Sequence, residues 1–224
     1  MEKLLERERE LAAVEALLER GAGVLAMEGG AGIGKTSLLE AACHRAEQAG
    51  WEVLRARGSE LEAGFAFGVV RQLFERRLAA ADEAEREALL AGPAGAARPL
   101  IFPEFGEASA YDTSFAVLHG LYWLAANLAA RRSLVIAVDD AHWVDGPSLR
   151  WLAYLAPRVE GLALALMLTL RPAEPASGEP PLLAVRAEPA TVIRPRLLSQ
   201  TAVAAIVRRV GGEARHRSGE YAAQ

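Results

Sequence analysis

The chain has 224 residues, 52% of them hydrophobic and 24% charged, a balance that supports one sizeable core with at most a small appendage. Its formal net charge of −4 argues against a general electrostatic grip on nucleic acid, which normally requires a basic face. The longest mostly apolar stretch, residues 162–170, is too short to span a bilayer, and the N-terminus lacks a signal-peptide core. We therefore expect a cytoplasmic protein without membrane contact, and the single cysteine, Cys43, is assigned no chemistry.

The chain opens with a helical pattern. Leucine and valine side chains recur at helical spacing among Glu and Arg over residues 3–20, and Gly21 follows. This pattern predicts an amphipathic helix that ends at the glycine. An apolar run of strand length, residues 24–27, predicts the first strand.

Directly after that strand, residues 29–36 match the pattern G-x-x-x-x-G-K-[ST] of a phosphate-binding loop. Glycines let the backbone turn its N–H groups toward phosphates, Lys35 supplies a cation, and the Thr36 hydroxyl can bind Mg²⁺. The alternative, a glycine-rich turn that carries a lysine by accident, rarely precedes a helix-forming stretch such as residues 37–49. The residues expected to contact phosphates are Gly29, Gly30, Ala31, Gly32, Ile33, Gly34, Lys35, Thr36 and Ser37.

The middle of the chain predicts a strand, two helices and a long connection. Residues 51–56 favour the strand, and residues 69–90 favour a helix whose charged outer face is most simply solvated. Glycines and prolines over residues 91–113 predict a long loop or a partly ordered crossing. Helical periodicity resumes over residues 115–128.

Two acids follow the next strand. Residues 134–138 form a continuous apolar run, as expected for a parallel strand covered on both faces, and Asp139 and Asp140 come directly after it. Acids at the C-terminal end of such a strand emerge where ligands bind in an open α/β sheet. A strand that ends in Asp is common by itself, because Asp also caps helices and forms turns. Together with the phosphate loop, the run predicts the Mg²⁺-binding partner strand of a phosphate-loop enzyme.

The C-terminal third completes the alternation of strands and helices. Residues 147–157 favour a helix capped by Asp145 or Gly146, and residues 162–170 and 190–194 favour two more strands. Five strands that alternate with helices predict an α/β fold, in which a mostly parallel sheet is covered by helices.

With both motifs placed, the chain resembles the ATPase module of the signal-transducing STAND class within the AAA+ superfamily. More closely, it is similar to the N-terminal ATPase region of large LuxR-type transcriptional regulators, also called LAL regulators. The stretch Asp-Asp-Ala-His-Trp at residues 139–143 is especially characteristic of that family. The segments that carry the resemblance span nearly the whole chain: residues 5–11, 29–36, 67–74, 115–123, 139–143, 148–152 and 169–172.

The resemblance implies a P-loop NTPase fold, a three-layer α/β/α sandwich. The implied sheet has the strand order 5-1-4-3-2, so that the strand at residues 163–170 lies between the phosphate-loop strand and the Asp139 strand. ATP and Mg²⁺ are the implied ligands. Residues 1–198 would form the ATPase core, and residues 199–224 the truncated start of a helical lid and a disordered tail.

The resemblance also implies roles for individual residues. Lys35 and Thr36 bind phosphates and Mg²⁺, and Asp139 is the Walker B acid at the metal. Asp140 orients or activates the attacking water, and Arg171 takes the sensor position that reads the γ-phosphate. Such a set is adequate, because phosphoryl transfer depends mainly on positioning and charge neutralisation.

Four positions keep open alternatives. Asp140 could instead cap the turn that follows it, and His142 is expected to hydrogen-bond to the backbone rather than to act in catalysis. Arg7 lies either near the nucleotide or exposed at a helix start. Glu6 stands where relatives usually have glycine, which leaves the adenine-side contact open.

The chain thus resembles the nucleotide-binding core of a regulator without its lid, sensor or DNA reader. The first functional hypothesis is an ATP-binding switch with slow hydrolysis, which binds ATP and ADP and docks to other regulator domains or self-associates through the apolar side chains of residues 203–210. The alternative is a non-catalytic interaction protein. Direct DNA binding is not expected, because no helix-turn-helix or basic recognition helix follows. The base-reading motif of GTPases and the signature of transporter ATPases are also absent.

Overall fold

A parallel β-sheet forms the centre of the computed structural model, which describes residues 4–102, 115–172 and 191–208. In this part of the chain the strands are β1 (Gly23–Glu28), β2 (Glu52–Arg57), β3 (Leu134–Asp139), β4 (Leu164–Leu170) and β5 (Thr191–Ile193). The helices are α1 (Glu8–Arg20), α2 (Lys35–Gln48), α3 (Gly68–Ala79), α4 (Glu83–Leu89), α5 (Arg98–Ile101), α6 (Phe115–Arg131) and α7 (Gly146–Leu155). Short 3-10 helices occupy Gly92–Ala97, Ala141–Trp143 and Ala156–Arg158, and residues 200–208 are also helical.

The strands lie in the order β2-β3-β4-β1-β5, and all neighbours pair in parallel. The predicted order is therefore confirmed, and the sheet is parallel throughout its described strands rather than mostly parallel. Every residue of β3 and β4 is buried. This burial explains the uninterrupted apolar runs in the sequence, because helices cover both faces of a parallel sheet.

Side chains of β1 show the layered construction. Val24 and Ala26 belong to an apolar cluster that includes residues of α3, α6 and α7. Leu25 and Met27 point to the opposite face and belong to a second cluster with residues of α1 and α2. Alternate residues of a strand face opposite sides, so each layer of helices buries one half of the strand. The result is the predicted three-layer α/β/α sandwich.

Cys43 is buried in the second cluster, and burial raises the pKa of its thiol to about 11, in line with an inert side chain.

The helix predicted over residues 69–90 is two helices, α3 and α4. The break falls at Asp82, whose Oδ1 accepts a hydrogen bond from the N–H of Glu85 at 2.8 Å and so caps α4. An aspartate at this position satisfies an N–H at the start of a helix, which favours a new helix over continuation of the old one. The apolar periodicity continues across the break and did not reveal it.

Of the two alternatives predicted over residues 91–113, a long loop or a partly ordered crossing, the first half of the segment fits the crossing. Residues 92–101 form a 3-10 helix and α5, and Ala94 and Ala97 are fully buried. This segment packs closely against Gly120 of α6. A Cβ added at Gly120 would lie 3.0 Å from both the Pro93 carbonyl oxygen and the Ala96 Cβ. Glycines, prolines and alanines are typical of loops in a sequence, but here they form a segment that crosses α6 in close packing. Residues 103–113 lie outside the described part of the chain.

Asp145 caps α7, as one of the two predicted cap residues. Its Oδ1 accepts from the N–H groups of Ser148 at 2.9 Å and Phe67 at 2.8 Å, and its Oδ2 accepts from Val69 at 3.1 Å. The carboxylate is only 2% exposed. It therefore fixes the start of α3 as well as the start of α7, a role that the sequence did not indicate.

The last strand and the helix after it also follow the prediction. β5 falls inside the predicted strand at residues 190–194, and Ser199 begins the helical residues 200–208, with its Oγ accepting from the N–H of Ala202 at 3.1 Å. The predicted disordered tail lies outside the described residues, and the division at residue 198 stays a prediction. Within the described residues, every helix is too short or too polar to cross a membrane.

Candidate functional site

The phosphate loop connects β1 to α2 at the C-terminal edge of the sheet. Gly32 and Gly34 have φ angles of 76° and 95°, which only glycine adopts without strain. The N–H of Gly29 donates to the carbonyl oxygen of Leu170 at 3.1 Å, so the loop is tied to the end of β4. The loop has the form expected of a cradle for phosphates, and α2 directs its N-terminus toward it.

Lys35 lies within this loop and is only 7% exposed. Its Nζ donates to the carbonyl oxygens of Gly29 and Gly30, both at 2.8 Å. The side chain is therefore held across the loop by backbone acceptors alone. Phosphate oxygens are stronger acceptors for an ammonium group than these carbonyls, because they carry charge.

The acid at the end of β3 meets the residue that follows Lys35. Thr36 Oγ1 donates to Asp139 Oδ2 at 2.9 Å, and Thr169 Oγ1 of β4 donates to Asp139 Oδ1 at 2.5 Å. Asp139 is 7% exposed. The hydroxyl and the carboxylate expected at a Mg²⁺ site are thus adjacent.

This donor set fits Mg²⁺. The described residues contain no group of three or more His, Cys, Asp and Glu that could enclose a metal ion. Mg²⁺ usually keeps several waters and takes one or two protein ligands together with phosphate oxygens. Thr36 and Asp139 satisfy that requirement, whereas a metal that needs an all-protein cage would not fit.

Asp140 adopts an uncommon backbone conformation, with φ at 50°. Its N–H donates to Thr169 Oγ1 at 2.8 Å, and its Oδ2 accepts from Arg57 Nη2 at 2.9 Å. Its side chain makes no capping hydrogen bond to the 3-10 helix that follows, so the capping alternative is wrong. The carboxylate instead forms an ion pair with the last residue of β2.

Arg171 directly follows β4. Its guanidinium carbon lies 5.9 Å from the centre of the Trp143 ring. Arg171 and Asp140 line one cavity of about 540 Å³, to which Arg57 also contributes. We call this space the charged cavity; its lining residues are Arg57, Gly58, Ser59, Glu60, Glu62, Gln72, Asp140, Trp143 and Arg171.

His142 does not make the expected backbone hydrogen bond. Both of its ring nitrogens are enclosed, and neither has a hydrogen-bond partner among the described residues. Burial lowers the pKa of His142, and the charge of Arg171 lowers it further. The imidazole is therefore neutral near pH 7.

Arg7 lies near the phosphate loop, which decides between its two alternatives. It is 5% exposed, and its Nη2 donates to the carbonyl oxygen of Ile33 at 3.0 Å. Its Nη1 also lies 3.9 Å from Glu10. The opening motif of the chain thus supports the loop from outside rather than extending into solvent.

A second cavity, of about 350 Å³, adjoins the loop on this side. Most of its walls are apolar, and sequence analysis missed it because Leu4 and Leu5 were assigned to the first helix, which begins only at Glu8. We call it the apolar cavity; its lining residues are Leu4, Leu5, Arg7, Gly32, Ile33, Gly34, Ser37, Leu197, Leu198, Val203 and Ile206.

Sequence reasoning also missed Arg57 and Thr169. A signal for both existed, because each lies at or near the C-terminal end of a predicted strand. In the parallel register Arg57 is opposite Asp139. Polar residues at neighbouring strand ends therefore meet at one edge of the sheet.

The fold and the loop at this edge define the chain as a P-loop NTPase-type α/β protein. Residues 3–168 match the AAA ATPase domain family, and the chain belongs to that family. No protein with a curated description matches the chain.

Solved structures agree on the fold. The Orc1 protein of Aeropyrum pernix, in complex with DNA, is 17% identical with a TM-score of 0.56 over 95% of this chain and 51% of that one. Cdc6p of Pyrobaculum aerophilum is 15% identical with a TM-score of 0.56 over 92% and 49%. DnaA of Aquifex aeolicus, bound to AMPPCP, is 14% identical with a TM-score of 0.51 over 94% and 53%. The chain spans about half the length of each of these proteins.

Proposed function

We propose that the chain is an ATP-binding module that hydrolyses ATP slowly and acts as a switch. The observation that carries the proposal is the 2.9 Å hydrogen bond from Thr36 Oγ1 to Asp139 Oδ2, which joins residues 103 positions apart. It joins the hydroxyl that we assign to the Walker A motif, next to Lys35 in the chain, to the acid that we assign to Walker B. These are the groups that a Mg²⁺-nucleotide requires.

Binding of the phosphates follows from the loop. Lys35 would exchange its bonds to the Gly29 and Gly30 carbonyls for bonds to the β and γ phosphates, and the loop N–H groups would supply the remaining donors. Thr36 and Asp139 would hold Mg²⁺. The ion, when bound, neutralises charge on the phosphate oxygens.

Hydrolysis is assigned to Asp140 and Arg171, which line the charged cavity. Asp140 would orient the attacking water, and Arg171 would neutralise charge on the γ-phosphate. In the structure Asp140 is paired with Arg57 at 2.9 Å. Because this pair must open before the carboxylate can hold a water, we expect slow turnover.

We further propose that the module belongs to a STAND-type regulator of the LuxR (LAL) group. The support is the Asp-Asp-Ala-His-Trp stretch at residues 139–143, whose acids lie at the site described above. ATP and ADP are its proposed ligands, and the other domains of such a regulator its proposed partners. The net charge of −4 gives no reason to propose direct DNA binding by this chain.

An equilibrium titration with a fluorescent ATP analogue and Mg²⁺ tests the binding step. We expect saturable binding that ATP displaces, and a loss of affinity of about 100-fold or more in Lys35→Ala, because the cation at the β and γ phosphates is removed. Arg76→Ala is the matched control, since Arg76 is an exposed cation in the last turn of α3. Equal affinity in wild type and Lys35→Ala would reject the assignment.

Asp140→Asn separates the switch from a non-catalytic interaction protein. If the chain is an ATPase, this variant keeps ATP binding and loses phosphate release in a single-turnover assay. If wild type binds ATP but releases no phosphate over many hours, the chain is a nucleotide-binding interaction module instead.

A further inference from the structure

Glu6 has a backbone conformation that is unusual for its residue type. Its φ angle is 54°, in the left-handed region that favours glycine. A non-glycine residue there costs roughly 1 kcal/mol or more, so the surrounding structure has to hold it in place. Glu6 lies between the apolar pair Leu4-Leu5 and Arg7, which contacts the phosphate loop.

The Glu6 side chain makes two hydrogen bonds to a single distant residue. Oε2 accepts from the N–H of Ser199 at 2.8 Å, and Oε1 accepts from Ser199 Oγ at 2.5 Å. These bonds lower the pKa of Glu6, which is therefore ionised near pH 7. The two residues are 193 positions apart, so the contact joins the beginning of the described chain to its end.

Ser199 is also the residue that begins the last helix. Its Oγ accepts from the N–H of Ala202 at 3.1 Å while its proton goes to Glu6. The contact therefore fixes both the position and the first turn of helical residues 200–208. We call the Glu6–Ser199 pair the clasp.

The clasp joins two chain segments that line the apolar cavity. Leu4 and Leu5 directly precede Glu6, and Val203 and Ile206 belong to the helix that Ser199 begins. The phosphate loop contributes Ile33 to the same cavity. A volume of about 350 Å³ lies at the small end of ligand sites, which span about 300–1,000 Å³. Because loop residues line the cavity, it adjoins the place where phosphates would bind, and its apolar walls suit the nucleoside of a nucleotide held there.

We propose that Glu6 and Ser199 are positioning residues that set the affinity for the nucleoside part of the bound nucleotide. They would do so by holding helical residues 200–208 against the apolar cavity, without touching the ligand themselves. This inference rests on the proposed nucleotide site. It gives Glu6, where glycine is usual in the resembling regulators, a specific task.

The test compares a ligand that has a nucleoside with one that lacks it. Isothermal titration with Mg²⁺ measures ATP and inorganic tripolyphosphate on wild type, Glu6→Gly and Ser199→Ala. We expect both variants to weaken ATP binding about tenfold and to leave the affinity for tripolyphosphate within a factor of about two. Glu6→Gly loses both charge-assisted hydrogen bonds, whereas Ser199→Ala loses one of them together with the cap bond to Ala202. Glu6→Gly suits the backbone conformation, so folding is retained, as a melting curve verifies.

Three further variants sharpen the result. Ser199→Thr keeps the hydroxyl and should keep wild-type affinity for ATP, whereas the double variant Glu6→Gly/Ser199→Ala should be no weaker than either single one. Glu19→Gly, an exposed acid on α1, is the matched control.

Unchanged ATP affinity in Glu6→Gly would overturn the clasp. An equal loss for ATP and tripolyphosphate would also overturn it, because Glu6 would then act through the phosphate loop. Failure of the nucleotide site itself looks different: wild type would bind neither ligand, or Lys35→Ala would bind both normally.

Discussion

The charged cavity and the apolar cavity differ in what holds their walls. The charged cavity is formed at the ends of β2, β3 and β4: Arg57 ends β2, and Asp140 and Arg171 follow β3 and β4 of the same sheet. The apolar cavity is formed by the phosphate loop together with residues before α1 and after β5, and the Glu6–Ser199 bonds join the last two segments. The shape of the charged cavity is thus set by strand register, whereas the apolar cavity depends on a few contacts between chain segments far apart in sequence.

This difference predicts that the two cavities respond unequally to single substitutions. Strand pairing and two apolar clusters support the charged cavity, so single surface changes should alter its chemistry without altering its shape. The apolar cavity lacks such support on the side of residues 197–208, where Leu197 is 85% exposed. Local opening should begin there.

The largest expected effect comes from removing Asp145, which fixes the start of α3, the helix that contributes Gln72 to the charged cavity. Asp145→Ala leaves three N–H groups of α3 and α7 without their acceptor, and each such buried group costs about 1–3 kcal/mol. We expect a loss of at least about 3 kcal/mol in the free energy of unfolding, measured with urea. Asp82→Ala, which removes a single exposed cap bond, should cost about 1 kcal/mol. Equal losses in the two variants would show that the three buried hydrogen bonds of Asp145 stabilise the fold no more than one exposed cap bond.

The next largest effect is expected on the rate of hydrolysis rather than on stability. Arg171→Ala removes the cation proposed to face the γ-phosphate, so single-turnover hydrolysis should fall about 100-fold while ATP affinity changes much less. Arg158→Ala, an exposed arginine stacked on Tyr154, is the control. If the affinity falls as much as the rate, Arg171 contributes to ground-state binding and the sensor assignment is wrong.

The smallest effect should be a gain. Arg57 is 68% exposed at the side chain, and exposed ion pairs contribute at most about 1 kcal/mol, which is about fivefold in rate. Arg57→Ala should therefore raise turnover by up to about fivefold, since Asp140 is released from its partner. Arg55, on the same strand as Arg57, forms a comparable pair with Glu47 of α2. Arg55→Ala should therefore leave turnover unchanged. A fall in turnover would instead make Arg57 part of the catalytic set.

β1, β3 and β4 were predictable from the sequence because they are largely buried on both faces and leave continuous apolar runs. The edge strands β2 and β5 are partly exposed and leave a weaker signal. The phosphate loop and the acids at residues 139–140 were predictable because their spacing is local. The strand order required the family resemblance, since no local pattern tells which strands are neighbours.

The contacts that the sequence did not reveal are those that join distant segments. Thr169 touches Asp139 across 30 positions, and Glu6 touches Ser199 across 193. Threonine, serine, aspartate and glutamate serve equally well in local roles, as helix caps or as solvated surface residues. Their partners are set by packing, which periodicity does not encode. The same limit left the choice between a loop and a crossing open at residues 92–101, because their small side chains matter only where they pack against α6.

Thr169 has a consequence for how this module can evolve. One hydroxyl donates to the Asp139 carboxylate and accepts the N–H of Asp140. A substitution that removes it disturbs the acid proposed for the metal and the acid proposed for water in the same event. A substitution at Thr169 therefore cannot readily change Asp139 without also changing Asp140. Descendants that lose this threonine should lose nucleotide binding and turnover together.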